Sequence, residues 1–108
     1  MTLEEVMAKV WRQALVEGAA DVELDGKTFP VRETPRKRLR EVDFVFEGQP
    51  LRGLEQNPKT DSRWAQLARA GHKVMQFLSA GQYLGVVVDG KVTLYGGKKK
   101  RSNEVKKQ

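Results

Sequence analysis

The dipeptide Asp-Gly occurs twice, at residues 25–26 and 89–90, and each time it separates two short segments that contain alternating apolar residues. Asp-Gly is favoured at the centre of a type I′ turn because both positions need a positive φ angle. Such a turn joins neighbouring antiparallel strands. The sequence therefore predicts a β-hairpin near each end of the chain. Pro30 lies in the return strand of the first hairpin, which favours a sheet edge for that strand.

Two further strands are predicted between these hairpins. Val42, Phe44 and Phe46 alternate with polar residues, which indicates a strand with one buried face. Gly48-Gln49-Pro50 then turns the chain into a shorter strand at residues 51–55.

Residues 2–17 have the apolar spacing of an amphipathic helix. Thr2 and Glu5 have the Thr-x-x-Glu spacing of a capping box, in which each residue satisfies a backbone donor of the other. Gly18 follows the last apolar residue and is typical of a helix end.

A second amphipathic helix is predicted from the capping residues 60–62 to Gly81, which suits a left-handed C-cap. We expect its apolar stripe to lie in the core, with Trp64 at its start. The stripe consists of Trp64, Leu67, Ala68, Gly71, Val74, Met75 and Leu78.

These segments predict a single α+β domain over residues 1–95, in the order α-β-β-β-β-α-β-β. Two amphipathic helices would pack on one face of an antiparallel sheet, or of a partly open barrel, of up to six strands. Residues 96–108 are predicted to be a disordered basic tail, because they contain too few apolar residues to offset the entropy of ordering. The chain has no cysteine, which excludes disulfides.

The positive charge of the chain is concentrated in the predicted tail. The whole sequence has a formal net charge of +6, and residues 96–108 contain six basic residues and one acidic residue. Residues 1–95 therefore carry 14 basic and 13 acidic residues, a net charge of +1. Because residues 1–95 are nearly neutral, we expect electrostatic contacts with a partner to be made by the basic segments.

Clusters of basic side chains neutralise phosphates without reading base sequence. Our leading hypothesis is a small non-catalytic binding module that binds nucleic acid nonspecifically through a basic connector and the tail. The candidate contact residues are Arg36, Lys37, Arg38, Arg40, Arg69, Lys73, Lys98, Lys99, Lys100 and Arg101.

Two other classes of function remain open. The first is a protein-interaction or assembly domain, which would meet a protein partner at the sheet edge near Pro30 or along the acidic strand that contains Glu41, Asp43 and Glu47. The second is a small toxin-like ribonuclease. Its candidate residues would be Tyr83, Tyr95, Arg69 and Lys73, and no spacing in the sequence supports them.

No cofactor, metal or catalytic site is predicted, so we expect the protein not to be an enzyme. The segment Gly85–Lys91 matches the first seven positions of a phosphate-binding loop, but Val92 replaces the serine or threonine that binds magnesium, and three valines favour a strand. His72 is the only histidine and is expected to be partly exposed. The apolar run Tyr83–Val88 is too short to cross a membrane. Without an export signal at the N-terminus, we expect the protein to be cytoplasmic.

Overall fold

The computed structural model describes residues 1–95, so the predicted disordered tail and its four basic candidates lie outside the described residues. Seven strands form one antiparallel sheet, and each strand pairs with its neighbours in sequence. They are β1 (Asp21–Leu24), β2 (Lys27–Glu33), β3 (Arg40–Phe46), β4 (Gln49–Glu55), β5 (Val74–Ser79), β6 (Gln82–Val88) and β7 (Lys91–Leu94). The α+β class with an antiparallel sheet is confirmed. The sheet has one strand more than the predicted maximum.

The first helix, α1, spans Leu3–Trp11 and continues as a π-helical segment over Arg12–Val16. The predicted capping box is present. The Glu5 N–H donates to the Thr2 hydroxyl at 3.2 Å, and the Thr2 N–H donates to the Glu5 carboxylate at 2.7 Å. Acidic residues in this first turn also interact favourably with the positive end of the helix dipole.

Helix α1 lies across one face of the sheet, which we call the inner face, and contacts β1, β4, β6 and β7. Three phenylalanines, on β2, β3 and β5, extend the core. Phe44 makes edge-to-face contacts with Phe29 at 6.5 Å and with Phe77 at 6.2 Å between ring centroids. The buried residues of the core cluster are Val6, Met7, Val10, Trp11, Ala14, Val22, Leu24, Val42, Phe44, Leu51, Met75, Phe77 and Val87.

Both Asp-Gly pairs form the predicted hairpin turns. Asp25 and Gly26 have φ angles of 50° and 79°, and Asp89 and Gly90 have φ angles of 48° and 91°. The second turn joins β6 to β7. The segment that resembles a phosphate-binding loop is therefore a hairpin.

The prediction of a long second helix is wrong over its C-terminal half. Helix α2 begins as expected, with the Ser62 hydroxyl accepting the Ala65 N–H at 3.1 Å, but it spans only Arg63–Arg69. Strand β5 replaces the remainder. Its residues 74–77 are all buried, and such a continuous run does not distinguish a strand from a helix by periodicity. Gly81, with a φ angle of 79°, belongs to the turn between β5 and β6. The prediction that both helices pack on one face of the sheet is also wrong, because α2 contacts β5 on the face opposite α1, where Trp64 lies beside Tyr95.

The predicted edge position of the strand that contains Pro30 is also wrong. Strand β2 lies between β1 and β3, and the two edges of the sheet are β1 and β7. The Val31 N–H donates to the Ala20 carbonyl at 2.8 Å, so the nitrogen of the preceding residue, Pro30, faces β3. The pairs between β2 and β3 begin only at Val31, opposite Val42. The ladder between β2 and β3 therefore ends beside Pro30, where the missing N–H leaves no strand hydrogen bond unmade. A partner strand could join only at β1 or β7.

Within residues 1–95, no helix is both long enough and apolar enough to cross a membrane. The longer of the two α-helices, α1, has nine residues.

The two tryptophans differ in burial, and this difference predicts unequal costs of substitution. Trp11 is 7% exposed and its indole N–H donates to the Lys73 carbonyl at 2.9 Å, whereas Trp64, which was expected in the core, is only partly buried. Trp11→Ala should lower the free energy of unfolding by about 3–5 kcal/mol, and Trp64→Ala by less than about half of that. Urea unfolding of the two variants would check this. Equal losses would contradict the observed burial of the two rings.

Candidate nucleic-acid interface

The first basic cluster, Arg36–Arg38, lies in the loop between β2 and β3, and we call it the basic loop. The loop is closed by two backbone hydrogen bonds, from the Thr34 N–H to the Leu39 carbonyl at 2.9 Å and from the Arg38 N–H to the Thr34 carbonyl at 3.0 Å. All three basic side chains are exposed. A closed loop limits how far the backbone of these residues moves, while their side chains remain accessible to a ligand.

Two other predicted contact residues, Arg40 and Arg69, are engaged by the fold. The Arg40 guanidinium donates to the Ala19 carbonyl at 2.7 Å and is half-buried. The Arg69 guanidinium donates to the carbonyls of Pro58 and Thr60. Both side chains satisfy backbone oxygens of connecting segments, so fewer of their donors are available to a phosphate.

Lys73 lies in the connection between α2 and β5, next to His72. The His72 Nδ1 lies 2.6 Å from one carboxylate oxygen of Asp89, and the Lys73 N–H donates to the other at 3.0 Å. The hydrogen bond to His72 holds the pKa of Asp89 below its usual value, and the hydrogen bond from the Lys73 N–H lowers this pKa further. The expected exposure of His72 is confirmed. The pair fastens this connection to the turn between β6 and β7.

The predicted basic residues that lie within residues 1–95 therefore do not form one patch. Arg40 and Lys73 line a small groove of about 220 Å³, whereas Arg36 and Lys37 line a separate groove of about 480 Å³. The four residues of the ribonuclease hypothesis are also divided. Tyr83 and Tyr95 share a third groove, and neither Arg69 nor Lys73 lines it.

The acidic strand is neutralised by arginines from the strands on either side. Asp43 binds Arg52 at 2.7 Å and Arg32 at 2.7 Å, and Glu41 lies 3.3 Å from Arg32. Hydrogen bonding by Arg52, and then by Arg32, holds the pKa of Asp43 below its usual value. In the part of the chain that is described, no three histidine or carboxylate side chains are grouped as metal ligands. Glu41 and Asp43 therefore form a charge-balanced network with the two arginines, whereas Glu47, predicted in the same row, lies in the turn after β3 with a φ angle of 52°.

The third groove lies on the face of the sheet opposite α1, which we call the outer face. Trp64 from α2, Tyr83 from β6 and Tyr95 after β7 line it, and its volume is about 350 Å³. We call it the aromatic groove. The Trp64 and Tyr95 rings lie 6.5 Å apart at an angle of 43°, and the Arg63 guanidinium lies 5.4 Å from the centroid of Trp64. Tyr83 is 53% exposed.

A chain of hydrogen bonds forms the floor of the aromatic groove. The Tyr95 hydroxyl donates to the Gln76 side-chain oxygen at 2.7 Å, and the Gln76 amide donates to the Gln56 oxygen at 2.9 Å. The Gln56 amide then donates to the Asn57 carbonyl at 3.1 Å and to the Thr60 hydroxyl at 3.2 Å. Burial raises the pKa of Tyr95, which keeps the phenol protonated as the first donor of the chain. The position of the Tyr95 ring is therefore fixed.

The aromatic groove and the groove beside the basic loop are lined by residues of neighbouring strands. Leu54 lines the groove of Arg36 and Lys37, and its register partner on β5 is Gln76, which lines the aromatic groove. The two grooves are therefore neighbours on the adjacent strands β4 and β5.

Sequence reasoning missed the aromatic groove. Trp64 was assigned to a core stripe because the helix was extended into β5. One feature of the sequence indicates the position of Tyr95. Val92 and Leu94 alternate with Thr93 and Tyr95, so in a strand Tyr95 lies on the face opposite Val92. The pairing of Tyr95 with Gln76 required the fold, because the two residues come from different strands.

A scan against protein-family models, a search of curated proteins and a search of solved structures found no match to the chain. The geometry and charge of the outer face are therefore the basis for a functional assignment.

The Asp43 network predicts an acid dependence of stability. Because the folded pKa of Asp43 is lowered, its contribution to stability is present above the ordinary aspartate pKa of about 3.9 and is lost as pH falls through the folded value. Asp43→Asn should make the decline in unfolding free energy on acidification shallower, by no more than about 1 kcal/mol because the pairs are exposed. Urea unfolding between pH 6 and pH 2 would measure this.

Asp21→Asn is the control, since Asp21 is exposed and has no salt-bridge partner within residues 1–95. An identical pH dependence in wild type and in Asp43→Asn would show that the network contributes nothing to stability.

Proposed function

We propose that this chain is a small non-catalytic nucleic-acid-binding domain, which binds phosphates with the basic loop and with the tail residues 98–101. The observation that supports the proposal is the exposure of the basic loop on an otherwise nearly neutral body. The loop borders the groove of Arg36 and Lys37, and the basic residues 98–101 follow Tyr95, which lines the aromatic groove, in the sequence. A strand of nucleic acid that contacts both segments would have two sources of positive charge.

The distribution of charge in the body favours the same two segments. Arg32 and Arg52 are paired with Glu41 and Asp43, so this part of the outer face does not attract phosphates. The basic loop and tail residues 98–101 contain seven basic side chains. Each phosphate that they neutralise releases condensed counterions, so affinity should fall by a slope of about 0.9 per contact on duplex DNA and about 0.7 on single strands.

The proposal predicts that neutralising either segment reduces the salt dependence of binding. Replacing Arg36, Lys37 and Arg38 together by glutamine should lower the slope of log affinity against log salt by about two. Replacing the four basic residues 98–101 should lower it by about three. Fluorescence anisotropy of a labelled oligonucleotide between 50 and 200 mM NaCl would measure the slopes.

A matched control removes the same charge elsewhere. Lys9, Arg12 and Lys27 are all exposed. Lys9 lies on α1, Arg12 begins the π-helical segment that follows it, and Lys27 lies in the first hairpin. Their joint replacement by glutamine should change the slope much less than the loop variant does. Equal slopes in the loop and control variants, or no binding by the wild type at 50 mM NaCl, would refute the proposal.

A further inference from the structure

We infer that the aromatic groove stacks unpaired bases, so that the ligand is single-stranded nucleic acid rather than duplex. This inference rests on the proposed function and specifies its ligand class. Stacking on aromatic side chains is a sequence-tolerant source of affinity for single strands, because every base has a π-face. In a duplex, neighbouring base pairs already cover both faces of each base, and a side chain at the surface cannot reach them.

The arrangement of the rings supports stacking. Tyr83 is 53% exposed, so a large part of its ring is accessible to a base. Trp64 is braced by the Tyr95 ring at 6.5 Å and by the Arg63 guanidinium at 5.4 Å, and Tyr95 is fixed by Gln76. Rings held in position lose little conformational entropy when a base packs on them.

The floor of the groove does not favour reading of base edges. Gln76 is 9% exposed and uses its oxygen for Tyr95 and its amide for Gln56. The Gln56 amide is in turn bonded to Asn57 and Thr60. With the amides engaged, selection among bases depends on stacking strength. Purines, which have the larger π-surface, should therefore bind more tightly than pyrimidines.

The size of the surface limits the length of the bound strand. The basic loop and Tyr95 are separated by the width of the sheet from β3 to β7, and strands about 4.8 Å apart make this distance roughly 19 Å. A single strand at least as extended as in a duplex, about 3.4 Å per nucleotide, would span this distance with about six nucleotides or fewer.

The inference is tested with the full chain and four labelled ligands based on 12-nucleotide strands: all-adenine, all-pyrimidine, abasic, and an adenine strand annealed to its complement. The three single strands have equal phosphate number, and the duplex has about twice that number, so weaker binding of the duplex would not be due to missing phosphates. At 100 mM NaCl, the adenine strand should bind about tenfold more tightly than the abasic strand and several-fold more tightly than the duplex or the pyrimidine strand. RNA and DNA versions of the adenine strand would show which sugar is preferred.

Substitution of Tyr83 provides the matched variants. Tyr83→Ala should weaken binding of the adenine strand about tenfold and leave binding of the abasic strand unchanged, whereas Tyr83→Phe, which keeps the ring, should bind like the wild type. Because Tyr83 is exposed, both variants should keep the wild-type melting temperature, which circular dichroism would verify.

The outcomes separate this inference from the proposed function. If the abasic strand and the duplex bind as tightly as the adenine strand, and Tyr83→Ala has no effect, base stacking is wrong and phosphate binding stands. If none of the four ligands binds at low salt, the proposed function itself is wrong.

Discussion

The packing of α1 against the inner face is the interaction on which the rest of the structure depends. The sheet is an open meander, and within residues 1–95 its two edges, β1 and β7, do not pair with each other. Helix α1 contacts both of these strands, and Val10 and Trp11 lie in the shared core. The indole of Trp11 also bonds to the carbonyl of Lys73, which precedes β5. One helix thus covers the apolar inner face of the sheet and fastens it to the connection after α2, whereas α2 covers part of the outer face beside β5 and leaves Tyr83 exposed.

The parts of the fold that local chemistry determines could be predicted from the sequence. The capping box of Thr2 and Glu5 and the two Asp-Gly turns depend on residues within a few positions of each other. Strand β5 could not be predicted in this way, because it is buried on both faces and its apolar run also fits a helical stripe. Its ladders with β4 and β6 decide the conformation, and they involve residues distant in sequence. The predicted edge position of Pro30 is wrong for a related reason. Proline lacks a backbone N–H, and this is tolerated wherever a ladder of strand hydrogen bonds ends, including inside a sheet.

The candidate site was predictable in its charges and not in its geometry. The sequence identified the basic loop because a run of charge in a connector is visible without a fold. It could not show that Arg40 and Arg69 bind backbone carbonyls, since those carbonyls belong to other segments of the chain. The error in β5 also concealed the aromatic groove. Once the second helix is shortened to seven residues, Trp64 moves from an assumed core stripe to a groove shared with Tyr95.

In the proposed binding mode, the two kinds of contact act at different distances. Attraction between phosphates and the basic segments extends over about 10 Å at 0.1 M salt and weakens as salt is added. Stacking on Tyr83 requires direct contact and is much less sensitive to salt. A body with a net charge of only +1 adds little long-range attraction of its own, so the basic loop and the tail would bring a strand to the outer face and the rings would retain it. High salt should therefore remove the phosphate contribution first and leave a residual affinity that depends on unpaired bases, which is why the difference between adenine and abasic strands is expected to persist as overall binding weakens.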